Sequence, residues 1–113
     1  MPQINISIAK KVDGSTKNKL QLEIGNNVSV IPGKNIGNTA ICINDGLTMF
    51  KNGQPLDGMF VDIRLYKSSP EENKKEFAEK LFAIFQEVLG VKPDCVNINF
   101  LEMSAWAAGG NYF

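Results

Sequence analysis

The sequence predicts an α/β fold of the α+β kind, in which two β-α-β units form a four-stranded mixed sheet with two helices on one face. Three observations carry this expectation. Period-two alternation begins almost at the first residue, helical-period apolar stripes follow at two places, and the element order of the first half returns in a second half of nearly equal length. The residues of the halves do not visibly match, so the repeat is one of structure. A chain of 113 residues has room for one core, and a single domain is expected over residues 1–113.

Gln3 to Ala9 places Ile4, Ile6 and Ile8 on one face, the pattern of a half-buried strand. After the turn residues Val12-Asp-Gly-Ser, the positions Leu20, Ile24, Val28 and Ile31 recur at helical spacing, with Ser15 or Thr16 as N-cap and an end near Pro32-Gly33. Thr39 to Asn44 and Met59 to Tyr66 are β-rich runs, separated by Asp45-Gly46 and the Lys51-Asn-Gly-Gln-Pro turn cluster. The second helix has Ser69 as cap, Pro70 at its first position, and Glu71 and Glu72 at the positive end of its dipole. Phe77, Leu81, Ile84, Phe85 and Val88 form its core stripe, Gly90 closes it, and Cys95 to Leu101 supplies the fourth strand. Helices on one face leave the other bare. Because the fourth strand reads as apolar or small on both sides, a partner subunit is expected to cover that face.

Composition narrows the chemistry. Twelve basic and twelve acidic side chains cancel, so no net field holds a polyanion, and neither nucleic acid nor a membrane is expected as a partner. The chain has no histidine, which removes the usual proton shuttle and the commonest metal ligand together. Ser-His and Cys-His catalysis are excluded. Cys42 and Cys95 lie in apolar stretches without C-x-x-C spacing, and are expected to be buried thiols of a reducing compartment rather than a disulfide or a metal site. With no apolar run of about 18 residues and no signal-peptide pattern, a cytoplasmic location is expected.

Several motifs in a fixed order resemble the macrophage migration inhibitory factor and D-dopachrome tautomerase family over essentially the whole chain. They are Pro2 leading into the first strand; Gly33-Lys34 after the first helix; Met49-Phe50 before a Gly/Pro turn; Phe60-Val-Asp-Ile-Arg; and Val91-Lys-Pro-Asp, Ile98-Asn99 and Gly109 to Phe113. The resemblance implies a tautomerase-type fold assembled as a homotrimeric barrel of sheets, with active sites at subunit interfaces. It implies a cofactor-independent isomerase acting on phenylpyruvate-like α-keto acids, with no metal and a small enol or keto acid as substrate. The alternative is a trimeric binding or signalling protein with weak or vestigial tautomerase activity.

In that family the base is an N-terminal proline, which here requires loss of Met1. A terminal amine has a reference pKa near ~7.7–8.0, and burial or a nearby cation lowers it by disfavouring the charged form. Carried over residue by residue, the resemblance makes Pro2 the acid and base and Lys34 the holder of the substrate carboxylate. Without it, Lys34 reads as a helix-end lysine facing the negative end of a dipole. Asn99 is expected to reach a neighbouring subunit's pocket, or else to satisfy backbone groups at a strand edge. Tyr66 falls where the family contacts substrate through its backbone, and Trp106 and Phe113 lie where it carries aromatics, as pocket walls or subunit contacts. The sequence departs from the pattern in three places. Asn97 stands where a pocket tyrosine is usual, Gly110 where many members carry tryptophan, and Leu56 to Val61 holds no cysteine pair. The first two reshape the pocket; the third removes any case for thiol redox activity. Other reactions of the superfamily, dehalogenation or decarboxylation, rank lower because Arg64 is the only arginine.

Overall fold

Alternation decides the first strand: Ile4, Ile6 and Ile8 are fully buried while Gln3 is exposed, so β1 (Gln3–Ile8) turns its isoleucines to the helices. The computed structural model describes every residue from Met1 to Phe113. Helix α1 (Gly14–Asn27) starts at Asp13, whose extended backbone lets its carboxylate accept the Thr16 N–H at 2.7 Å. Asp13 therefore replaces the expected Ser15 or Thr16, both of which are already helical and cannot cap. Leu20 and Ile24 are buried, and the stripe runs on to Val28 and Ile31 through the short 3-10 turn Val28–Val30. The α-helix thus ends a turn earlier than the apolar spacing suggests.

Strand β2 (Ala40–Asn44) follows, then a small hairpin of β3 (Phe50–Lys51) and β4 (Gln54–Pro55) whose turn, Asn52-Gly53, has positive φ at both residues. Strand β5 (Met59–Tyr66) has the limits of the β-rich run that the sequence predicts. Helix α2 (Glu71–Leu89) has Pro70 at the N-cap, one position earlier than expected. Ser69 makes no side-chain cap, and its backbone N–H instead donates to Glu102 Oε2 at 2.6 Å. Phe77, Leu81, Ile84 and Phe85 are buried as predicted, Leu89 joins them, and Gly90 closes the helix in the left-handed region at φ 69°. Cys95 belongs to a 3-10 turn, Pro93–Cys95, so that strand β6 runs Val96–Met103. A second hairpin, β7 (Ala107–Ala108) with β8 (Asn111–Tyr112), ends the chain.

The sheet order is β2-β1-β5-β6, with β1 parallel to β2, β5 parallel to β6, and the two β-α-β units joined antiparallel through β1 and β5. This is the mixed four-stranded sheet the repeat predicts. Both helices lie on the face of Ile4, Ile6, Ile8, Val61, Ile63 and Leu65, which with the helix stripes make one core.

The opposite face departs from expectation. By alternation it carries Gln3, Asn5 and Ser7 from β1, Ala40, Cys42 and Asn44 from β2, Phe60, Asp62, Arg64 and Tyr66 from β5, and Asn97, Asn99, Leu101 and Met103 from β6. Polar groups dominate, so this face tolerates water and does not by itself demand a cover. The Cys42 thiol is exposed there and Cys95 is only half-buried, which corrects the expectation of two buried thiols; both are free. The unmet need lies at the edges, because β2 and β6 leave their outer backbone groups unpaired and the eight residues of β6 form a long open edge.

Candidate active site

The sheet register gathers one end of three strands. Gln3 lies opposite Arg64, and Arg64 opposite Leu101, so the start of β1 and the ends of β5 and β6 share one rim. Two segments rise beside it. On one side the Ala40 N–H donates to the Pro2 carbonyl at 3.1 Å and draws Gly37–Ala40 against the start of β1. On the other, Trp106–Ala108 folds over from the end of β6. Between them is an open cleft of about 380 Å³, floored by Met1, Pro2 and Gln3. Its walls are formed by Gly37–Ala40 on one side and Trp106–Ala108 on the other.

The loop bearing Lys34 is braced. Asn35 and Asn38 exchange side-chain and backbone hydrogen bonds at 3.0 and 3.1 Å, Asn38 Nδ2 donates to Gly33 O at 3.2 Å, and Thr39 Oγ1 donates to Asn35 O at 2.7 Å. Gly33 supplies the left-handed turn at φ 79° that a side chain would strain. The backbone N–H of Lys34 donates to Ile31 O at 3.1 Å, and its ammonium lies beside the chain's first amine. Partial burial, then the charge of Lys34, hold the Met1 amine below its ordinary value.

Opposite stands an aromatic group. The Tyr66 ring lies 6.4 Å from Trp106 and 5.6 Å from Phe113, centroid to centroid, at tilted angles, and Lys67 Nζ sits 5.3 Å above it. The hairpin flanked by Trp106 and Phe113 turns at Gly109-Gly110, with φ of 59° and 83°, and closes with the Phe113 N–H donating to Trp106 O at 2.9 Å. Gly110 is therefore a turn residue, in a conformation that a tryptophan would strain.

Of the residues singled out in the sequence, Pro2 and Trp106 line the cleft, and Lys34 stands outside the lining, beside the Met1 amine. Tyr66 and Phe113 stand behind Trp106 rather than in the lining. Asn97 and Asn99 do not join them within one chain. Asn97 pairs with Phe60 near the far end of β6, about 13 Å along the strand from Leu101 at the usual rise. Asn99 donates to Asp62 Oδ1 at 2.5 Å, a side-chain partner rather than the backbone groups expected of it. Gln3, Asn38 and Thr39 were not foreseen as lining residues. The Asn-x-x-Asn spacing of the capping box at 35–38 is the one signal that could have drawn attention to that loop. No three metal-binding side chains cluster anywhere in the chain.

No protein-family model matches the sequence, and no curated protein matches it. Solved structures do match in fold. MIF2 of Leishmania major superposes with a TM-score of 0.91 at 13% identity, over 100% of this chain and 97% of that one. A macrophage migration inhibitory factor-like protein of Entamoeba histolytica gives 0.86 at 18% identity, over 99% and 98% of the two chains. A wild-type fused 4-OT asymmetric trimer, R7, gives 0.85 at 13% identity, over 97% and 94%. The chain has the fold shared by the MIF-like proteins and the fused 4-OT trimers, as the resemblance implied.

Proposed function

We propose that this chain is a cofactor-independent keto-enol tautomerase in which Pro2, freed by removal of Met1, is the acid and base. The observation that carries the reading is the position of Pro2, buried at the floor of a cleft beside a lysine that already depresses the neighbouring amine. While Met1 is attached, the Pro2 nitrogen is an amide and has no basicity. Once free, its amine would sit one residue deeper, where burial and Lys34 both favour the neutral base at neutral pH.

The substrate class is a phenylpyruvate-like α-keto acid. Lys34 would hold its carboxylate, the Pro2 nitrogen would take the enol hydroxyl proton as the carbonyl forms, and the same proton would return to the adjacent carbon. Trp106 would flank the aromatic ring. No step calls for a metal or cofactor.

Assembly as a homotrimer follows from the open β2 and β6 edges and from the trimeric state of the fused 4-OT of like fold. In a trimer Asn97 and Asn99 would serve a neighbouring subunit's cleft. A cytoplasmic location remains our reading of the sequence; no helix is long and apolar enough to cross a membrane.

A binding or signalling role on the same trimeric scaffold is the second reading, favoured by Asn99, whose amide is already engaged by Asp62. One experiment separates the two. Mass spectrometry identifies the N-terminal residue of the purified protein, and a phenylpyruvate enol-keto assay on the same sample measures its activity. Turnover in Pro2-terminal protein and none in Met1-retaining protein is the expected result. No turnover from verified Pro2-terminal protein would leave the binding role.

A further inference from the structure

The cleft beside Pro2 lacks the aromatic side chains that the resemblance would put at positions 97 and 110, yet Trp106 of the same chain is among its lining residues. What holds that indole is specific. Trp106 lies outside the four-stranded sheet, flanking a hairpin whose strands have two residues each, and so short a hairpin is marginal alone. Its anchors are few. The Phe113 N–H reaches back to Trp106 O, the Lys67 N–H donates to Met103 O at 2.8 Å just before the hairpin, and the Tyr66 ring packs against both Trp106 and Phe113.

We infer that the Tyr66 ring is a positioning residue: with Phe113 it clasps the C-terminal hairpin so that Trp106 forms a fixed aromatic wall, which selects carboxylates bearing a flat ring over aliphatic ones of similar charge. The inference deepens the tautomerase reading by naming what sets its substrate class, and it rests on that reading for the identity of the reaction. It assigns to the Tyr66 side chain a role beyond the backbone contact implied by the resemblance. Phe113 is half exposed, so its packing on Tyr66 serves the hairpin more than the core. The Gly109-Gly110 turn is the hinge of the same device, because both residues adopt φ values open mainly to glycine.

Trp106 is the only tryptophan in the chain, so its fluorescence reports the wall directly. The test uses the purified full-length protein, with emission excited at 295 nm and titrations of phenylacetate and butanoate as unreactive aromatic and aliphatic probes. Tyr66→Ala should move Trp106 emission to longer wavelength and weaken phenylacetate binding about 2- to 12-fold, the loss expected for one aromatic pair, with butanoate affinity unchanged. Phe113→Ala, at an exposed position where folding is not at risk, should act in the same direction with a smaller effect. Tyr66→Phe keeps the ring and should restore both readouts. Unchanged emission in Tyr66→Ala, or equal weakening of both probes, would overturn the clasp. Because these readouts need no turnover, a selective loss of phenylacetate binding supports the clasp even in protein that fails every tautomerase assay, a result that would sink the catalytic reading alone.

Discussion

The Asn99 amide donates to the Asp62 carboxylate at 2.5 Å, joining β5 and β6 across the face turned away from the helices. Parallel register places the two residues opposite one another, so the bond follows from the pairing of the strands. It competes with the role proposed for Asn99 in a neighbouring cleft, since one amide N–H is already committed.

The pair predicts a coupled loss. Asp62→Ala and Asn99→Ala should each lower Tm by roughly 2–5 °C, a small effect because both side chains are exposed, and the double variant should fall little further than either single one. Thermal unfolding of the three variants measures this. Fully additive losses would mean that the bond contributes nothing and that Asn99 is free for a ligand.

Gly58, just before β5, supplies a second test. A Cβ there would collide with the backbone carbonyl of Cys95 and crowd Leu56, so the start of β5 and the turn into β6 approach as closely as glycine allows. A carbonyl fixed by backbone cannot rotate away. Gly58→Ala should therefore cost about 1–3 kcal/mol in denaturant unfolding, whereas Gly14→Ala, which meets open space, should be neutral or stabilising.

The architecture was legible where side-chain period and burial coincide. Met59, Val61, Ile63 and Leu65 are buried at every second position, and the limits Met59–Tyr66 emerge from the sequence unchanged. Boundaries shifted by a residue or two at the helix starts: Asp13 captures the cap of α1, and Pro70, which has no side-chain acceptor, stands at the cap of α2 while the Ser69 N–H goes to Glu102. The C-terminal hairpin escaped because strands of two residues have no period to detect, although Ala108-Gly-Gly-Asn111 is a two-residue turn signature. Of the residues that line the cleft, Pro2 and Trp106 stand out in the sequence. The clasp behind Trp106 does not, since only the folded chain brings Tyr66 and Phe113 together.

Lys34 predicts a pH signature. Partial burial and the Lys34 charge both lower the pKa of the first amine, and the same directions apply to a freed Pro2. The base works when deprotonated, so kcat/KM should rise with pH through a pKa below the ordinary terminal-amine value. Lys34→Ala removes the nearby cation and should move that limb to higher pH, while raising KM for a keto acid more than it lowers kcat, because the ion pair is made in ground and transition states alike. An unmoved limb with an unchanged KM would return Lys34 to the role of a helix-end cation.

Gly110 gives the most discriminating prediction, because there the sequence and the family resemblance pull in opposite directions. Restoring the expected aromatic by Gly110→Trp would, on resemblance alone, add a pocket wall and improve aromatic binding. The backbone argues the reverse. At φ 83° a residue with a Cβ is strained by about 1–2 kcal/mol, comparable to what a two-residue hairpin can hold, so the turn should open and release both Phe113 and Trp106. Gly110→Trp should therefore weaken phenylacetate binding, and Gly110→Ala, which adds strain without an aromatic, should weaken it nearly as much. Because the tryptophan variant carries two indoles, its own emission is ambiguous. In Gly110→Ala, where Trp106 is still the only indole, acrylamide should quench more strongly than in the parent protein. Tighter phenylacetate binding by Gly110→Trp would show that the position is a pocket wall after all, and that the hairpin tolerates the strain.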